Sequence, residues 1–580
     1  MKFLLENMRR YLSGVILAIF LKLIGTISEL TLPYILEHII DTVVPAGILS
    51  QVFLWGSLMF AAAVCAWLLN ISANRCAIQN AHRISYDIRQ KLFQKTINLN
   101  GSQFDTVGLP SLISRMTSDS YNVQSAAQQL QSLCVRAPMM LLGGLLMTML
   151  MDFRLSCILI VMLPLLIAVT IFVSYRGIPM FQTVQKKLDS VVRIMRENIT
   201  GIRVVKALSK TEYEKKRFAA ANHEMAQCDI AAGTVMAIPG PFMQTCLNIG
   251  LTLVVLIGAS RVNEGLSEPG VILAFLTYFN MITQGVMGLN RIFLSLSKAS
   301  ASADRIEEVL AMDTEQKALP LDAAPKPQGD EFLRFEHVCF NYGRTGLAGS
   351  SREKALDDIS FAVRKGESLG IIGPTGCGKT TIVNLLMNFY DADSGAVFVD
   401  GRDVRTYPKD ALHRKFGVAF QNDMIFQDTL RENIRFGRDL AAGSEAKAAE
   451  DAMAGEFIRS LEQGLDYAAD IRGANLSGGQ RQRLLIARAL AAKPPVLVLD
   501  SADSALDYRT AADLHAAIRR DCPGTTLVVI SERIASLKDA DRILVLEEGR
   551  ITDQGTHAHL LAHCDRYRRM VELQMGGGAL

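Results

Sequence analysis

Cysteine is present in this 580-residue sequence but never in a pattern. No pair stands at metal-ligand spacing and no framework suggests disulfides. The ten residues Cys65, Cys76, Cys134, Cys157, Cys228, Cys246, Cys339, Cys377, Cys522 and Cys564 are therefore expected to be reduced and mostly buried. Net charge is nearly absent too: 61 Lys and Arg against 58 Asp and Glu leave +3. That balance identifies no partner and gives no reason to expect nucleic acid. The opening MKFLLENMRRYLSG runs straight into a long apolar stretch without a small-residue cleavage site. It reads as a membrane anchor, not a cleaved signal peptide. Beyond residue 331 no apolar run is long enough to cross a bilayer.

Hydrophobic residues make up 49% of the sequence, concentrated in its first half. A span of about 30 Å of hydrocarbon needs about 20 apolar residues. Spans are predicted near 12–36, 53–73, 136–151, 155–175, 235–260 and 270–296. Two hydrophilic, helically patterned stretches, 74–132 and 176–233, separate them and are predicted to extend the helices outside the membrane. Charge orients the set. Arg9, Arg10, Arg75, Arg83, Arg89, Lys91, Lys95, Arg176, Lys186, Lys187, Lys298 and Arg305 fall on one side, against Arg154 and Arg261 on the other. The positive-inside rule places both termini and both long stretches in the cytoplasm, with the protein in the cytoplasmic (inner) membrane. The domains expected are 1–315 (transmembrane), 316–330 (a Pro- and Ala-rich linker) and 331–580 (α/β).

In the last region, SLGIIGPTGCGKTT (368–381) is a strand, a Gly-rich loop and a helix start. It fits G-x-x-x-x-G-K-[ST], the P-loop. Glycines let backbone N–H groups close on phosphates at a helix N-terminus, Lys379 neutralises their charge and Thr380 can ligate Mg²⁺. Gly373, Thr375, Gly376, Cys377, Gly378, Lys379, Thr380 and Thr381 are therefore candidate nucleotide-binding residues. Asp500, ending the apolar strand PPVLVLD, is the expected second Mg²⁺ partner. Alkylation of Cys377 is expected to block nucleotide binding.

NLSGGQRQR (475–483) matches the signature of the ATP-binding-cassette (ABC) family. FNYG with Tyr342, VAFQND with Gln421, and SALD at 504–507 follow the family's order. ELTLPYILEHIID (29–41) and GIRVVKA (201–207) look like membrane segments of bacterial ABC exporters. The chain thus resembles an ABC exporter half: an all-α six-helix transmembrane domain with long cytoplasmic extensions, then an α/β P-loop nucleotide-binding domain. The resemblance implies ATP and Mg²⁺ as cofactors. Tyr342 would stack on adenine, and Gln421 would join Thr380 and Asp500 beside the metal. Leu476, Ser477, Gly478, Gly479 and Gln480 would serve ATP held by another chain, alongside the D-loop Ser504, Ala505, Leu506 and Asp507. A second nucleotide domain is then required.

The pattern breaks at the hydrolytic positions. The family usually has Glu after the strand-end Asp, as a base for water, and a switch His further on. This chain has Ser501 and Glu532 there, so no catalytic residue is intact. Asp503 is expected to point elsewhere, and Ile471 stands where a Glu is common. One engineered change would explain Ser501 but not Glu532, whereas both positions act on the same ATP. The resemblance therefore implies a degenerate-site subunit of a heterodimeric, multidrug-type exporter, whose partner half-transporter keeps the Glu and His. The alternatives are a non-transporting, ATP-gated membrane regulator and a homodimeric lipid flippase. The cargo is left open among small molecules, lipids and peptides. Glu29, Gln244, Asn248, Asn280, Gln284 and Asn290 are candidate pathway residues.

Overall fold

The computed structural model describes residues 2–313, 331–342, 354–421 and 423–575. The expected linker 316–330 lies outside them. The chain divides into two compact units, Met1–Ile97 with Pro110–Met312, and Asn98–Leu109 with Asp313–Leu580.

The described residues hold six helices long and apolar enough to cross a membrane. They are α1 (Leu12–Val43), α2 (Leu49–Ile97), α3 (Leu109–Met151), α4 (Phe153–Thr200), α5 (Thr211–Asn263) and α6 (Pro269–Ala311). Each expected span falls within one of them. Four run to 43–49 residues and α5 to 53. At about 1.5 Å per residue that is about twice the hydrocarbon thickness, so the polar portions continue as helix beyond any bilayer. Their apolar sides pack into one another around Leu155, Leu247, Val254, Phe275 and Phe279.

Small residues set the closest helix approach. A Cβ on Gly285 of α6 would lie 2.9 Å from the Ala137 carbonyl oxygen of α3, and one on Gly144 would lie 2.9 Å from Ile282. This is the small-residue packing that replaces the hydrophobic drive between helices in lipid. Several polar groups inside the membrane helices are paired. Lys22 is buried and donates to Asn74 at 3.1 Å. Glu29 and Arg136 form an ion pair at 2.7 Å, and the Tyr278 hydroxyl donates to the Leu30 carbonyl at 2.7 Å. One expectation is corrected: all ten cysteines are free, but only Cys246, Cys377 and Cys564 are buried. Small side chains on helices this long reach the unit's surface as readily as its core.

The second unit carries two sheets. Strands β1 (Leu333–Phe340), β2 (Leu356–Val363), β4 (Ser394–Val399) and β5 (Arg402–Asp403) pair antiparallel in the order β2-β1-β4-β5. Strands β3 (Ser368–Ile372), β6 (Phe416–Ala419), β7 (Val496–Asp500), β8 (Thr526–Ile530), β9 (Arg542–Glu547) and β10 (Arg550–Gly555) pair in the order β10-β9-β3-β8-β7-β6. Only β10 is antiparallel to its neighbour. Every residue of β3, β7 and β8 is buried, as expected of parallel strands covered on both faces. The short helix Gly101–Val107 belongs to this unit. Asn100 caps it, Gly101 N–H donates to the Phe389 carbonyl at 2.9 Å, and Asp105 accepts from the Tyr390 hydroxyl at 2.7 Å.

Gly285→Ala is expected to destabilise the membrane unit by about 1–3 kcal/mol, because backbone, not a flexible side chain, meets the added methyl. Gly233, which has nothing within 4 Å of an added Cβ, should tolerate alanine with about 0.5–1 kcal/mol of gain from its helical position. Thermal unfolding of the detergent-solubilised variants checks both signs.

Candidate nucleotide site

The loop after β3 enters helix α7 (Lys379–Leu386). Gly376 and Gly378 sit at φ +86° and +101°, a region only glycine enters cheaply. A Cβ on Gly378 would also lie 2.6 Å from the Ala355 carbonyl oxygen. The loop is thus shaped to bring backbone rather than side chains to a ligand. Lys379 is buried, donating from Nζ to the carbonyls of Gly373 and Pro374 at 2.8 and 2.9 Å. The Thr380 hydroxyl donates to Asp500 Oδ2 at 2.8 Å. These groups line a cleft of about 1460 Å³.

The cleft tests well for Mg²⁺. Asp500 is 1% exposed, and its Oδ1 has no hydrogen-bond partner. Burial pushes its carboxyl up, against the pull of Thr380 and Lys379. An orphaned buried oxygen beside a threonine hydroxyl suits a hard cation. No group of three or more His, Cys, Asp or Glu could hold a metal among the described residues. One carboxylate and one hydroxyl suit an ion that takes few protein ligands and relies on phosphate oxygens, as Mg²⁺ does at nucleotides.

Tyr342, Thr375, Cys377, Thr381, Gln421 and Ser501 line the same cleft. The Tyr342 hydroxyl donates to Thr381 Oγ1 at 3.2 Å and accepts from Asn384 at 3.1 Å. Its ring meets Phe340 and Tyr390 edge-on at 4.7 and 5.2 Å. Cys377 is 5% exposed and burial pushes its thiol up. A raised thiol holds less of the reactive thiolate, so alkylation at Cys377 is expected to be slow.

The signature residues do not line this cleft. Ser477 caps α8 (Gly478–Leu490), exchanging hydrogen bonds with Gln480 at 3.2 and 2.9 Å. Leu476 is buried beneath it, while Ser477 and Gly478 are exposed. The D-loop lies against this helix start, with the Ala505 carbonyl oxygen 3.4 Å from a Cβ on Gly479. Arg533 donates to the carbonyls of Ser504 and Leu506 at 3.1 and 2.7 Å. Asp507 caps the next helix through Thr510.

Ser501 stands at φ +53° with its N–H on the Ile530 carbonyl. Asp503 is buried and accepts from the Ser531 hydroxyl at 2.9 Å. Glu532 reaches back over the phosphate loop: its Oε1 accepts from Thr375 Oγ1 at 3.0 Å and lies 3.5 Å from Lys379 Nζ. Sequence reasoning named Glu532 but missed those contacts, and it missed Gln574 altogether. The Gln574 side chain donates to the Glu532 carbonyl at 2.7 Å and accepts from Ile534 N–H at 2.9 Å. No local signal marks that pairing, since 42 residues separate Gln574 from Glu532.

Asp500→Asn keeps the shape and removes the charge. Mg²⁺-dependent nucleotide affinity should fall by about tenfold or more, while affinity measured in EDTA stays within about threefold. Equilibrium binding with and without the cation checks the split.

The sequence profile described as the ABC transporter transmembrane region matches residues 15–286, and one described as ABC transporter matches residues 356–504. The chain is 33% identical to the ABC transporter ATP-binding protein YfiB of Bacillus subtilis over 97% of this chain and 96% of that one. It is 30% identical to the ATP-dependent lipid A-core flippase of Syntrophus aciditrophicus over 85% and 80%. Its fold matches the structure of a bacterial Atm1-family ABC exporter with ATP bound, at a TM-score of 0.80, 23% identity and 99% coverage of both chains. The chain belongs to the ABC transporter family, with a multi-pass membrane domain fused to an ATP-binding domain that uses ATP with Mg²⁺ to drive transport.

Proposed function

We propose that this chain is the degenerate-site half of a heterodimeric exporter, holding ATP at its own phosphate loop and lending its signature helix to a partner's. One observation carries the reading. A cleft with an intact Lys379, Thr380 and Asp500 has Ser501 after the strand-end Asp and Glu532 on the lysine. A serine hydroxyl does not serve as a carboxylate base at neutral pH, and Asp503 is engaged by Ser531. Binding chemistry is kept while hydrolytic chemistry is not.

When bound with Mg²⁺, ATP supplies the energy that favours closure of two nucleotide domains and, at the partner's site, the bond whose hydrolysis resets them. Lys379 and the loop N–H groups hold phosphate. Thr380, Asp500 and Gln421 hold the cation. Tyr342 flanks the base as an apolar platform. Ser477, Gly478 and Gly479 face the partner's nucleotide with a capped helix start. Closure moves the cytoplasmic helix extensions and switches the membrane domains from inward- to outward-facing, by differential affinity for the closed state. The nucleotide domain and both termini lie in the cytoplasm under the positive-inside rule.

The cargo pathway is supported by four exposed amides in span segments, Gln244 and Asn248 on α5 and Asn280 and Gln284 on α6. Polar groups there suit a cavity or a partner better than lipid. Glu29 pairs with Arg136 instead, and the side chain of Asn290 is outside the described residues. A homodimeric lipid flippase has one point in favour, the flippase name of the relative from S. aciditrophicus.

The test is ATP turnover by the purified chain in vesicles, alone and with a partner half. Alone it should hydrolyse slowly. The double change Ser501→Glu, Glu532→His should raise turnover by about 10²-fold or more, the scale of a general base. Rapid hydrolysis by the unmodified chain alone, abolished by Lys379→Ala, overturns the degenerate-site reading in favour of the homodimer.

A further inference from the structure

We propose that Glu532 is a specificity-determining residue that makes this cleft favour a nucleoside diphosphate over a triphosphate. The inference rests on the reading of the cleft as a nucleotide site and deepens it. Strand β8 lies between β3 and β7, so the turn after Ile530 emerges between the phosphate loop and the Asp500–Asp503 segment. Glu532 is the residue of that turn that reaches the loop.

Its carboxylate already makes contacts that an anionic ligand would make. Oε1 accepts from the Thr375 hydroxyl at 3.0 Å and stands 3.5 Å from Lys379 Nζ. Two of the three Lys379 protons are directed to the Gly373 and Pro374 carbonyls. One remains for an anion, and Glu532 faces it. A lysine at this position of a phosphate loop serves the β- and γ-phosphates. A terminal phosphate must therefore displace the carboxylate from Lys379 and then sit beside it, with like charges a few ångströms apart. A diphosphate brings one negative group fewer to that end of the cleft. Its phosphates can still use the loop N–H groups while the carboxylate keeps Thr375. Discrimination by a repulsive group aimed at one competitor is a general route to specificity.

The turn that carries the carboxylate is also held in place. Gln574, on the C-terminal helix α9 (Asp565–Met575), clamps the turn by bonding the Glu532 carbonyl and the Ile534 N–H. Ile534 is itself fully buried, which anchors the far side of the turn. The Glu532 side chain is 60% exposed, so replacing it leaves the core intact. ATP still binds here, at the cost of moving the carboxylate. The nucleotide retained most firmly is the diphosphate.

Equilibrium binding of Mg-ADP and Mg-ATP to the full chain in lipid nanodiscs tests this. The wild-type chain should favour ADP by about tenfold or more. Glu532→Gln removes the charge at constant size and should bring the two affinities within about threefold, through a gain for ATP with ADP little changed. Glu532→His should do the same. Equal wild-type affinities, a preference that survives Glu532→Gln, or loss of both nucleotides in both variants overturns the inference. Lys379→Ala separates the two levels. Loss of both nucleotides leaves the site reading standing whatever the preference, whereas undiminished binding overturns the site and the selectivity together.

Discussion

The order of strands in the larger sheet is the constraint on which the cleft depends. Because β8 is hydrogen-bonded between β3 and β7, three chain segments far apart in sequence end side by side at one edge: the phosphate loop, the Asp500 turn and the Ser531–Arg533 turn. Parallel strands that are buried throughout leave little freedom in register. The ends of these strands are therefore fixed points. From them follow the Thr380–Asp500 bond at 2.8 Å, the Ser531–Asp503 bond at 2.9 Å and the approach of Glu532 to Lys379. Each is a short-range consequence of a long-range register.

The same register spreads the cleft's influence. Arg533, next to Glu532, holds the Ser504 and Leu506 carbonyls and lies 4.9 Å over the Tyr508 ring. The D-loop, the signature helix start beside it and the Glu532 turn are thereby tied into one arrangement. On the opposite side Tyr342 packs edge-on against Tyr390, whose hydroxyl bonds Asp105 on the short helix Gly101–Val107. That helix is cut from the sequence between two membrane-unit segments yet packs with the second unit. An aromatic ring that lines the cleft is thus one contact removed from a segment continuous with α2 and α3. Edge-to-face pairs of this kind have a preferred geometry, so a shift of Tyr342 is felt at Tyr390.

What could be read from sequence was what chemistry writes locally. The phosphate loop is legible because glycine, lysine and threonine must stand at fixed offsets for backbone to close on phosphate. The spans are legible because hydrocarbon thickness demands length. Asp500 was legible from the apolar strand before it. Glu532 was legible as a departure, but its partners were not, since Thr375 and Lys379 precede it by over 150 residues and meet it only through strand order. Gln574 and Tyr390 carry no motif at all; an amide or a phenol becomes specific only when the fold brings it a partner. Lys22 escaped for another reason. One cation inside a strongly apolar stretch barely changes its average, and its burial against Asn74 depends on how α1 and α2 cross. Cysteine burial failed similarly, since residue type alone does not say which side of a long helix meets a neighbour.

The chain's two phosphate-facing devices are thereby unequal in kind. The signature start is built without compromise: Ser477 and Gln480 satisfy each other's backbone donors, and Gly478 is left open to approach. The chain's own cleft sets Glu532 beside one buried ammonium, and under the proposed reading the carboxylate and a phosphate compete for it. Under the proposed reading, a capped helix start is ready for a ligand it does not itself hold, whereas Lys379 must exchange one anion for another before it holds any. Conflict of that sort persists only where the surrounding structure enforces it. Here the Gln574 clamp and the buried Ile534 enforce it from outside the cleft. The inequality therefore lies in the architecture around Glu532 as much as in the side chain itself, and a substitution at position 532 alone changes the charge without releasing the turn that presents it.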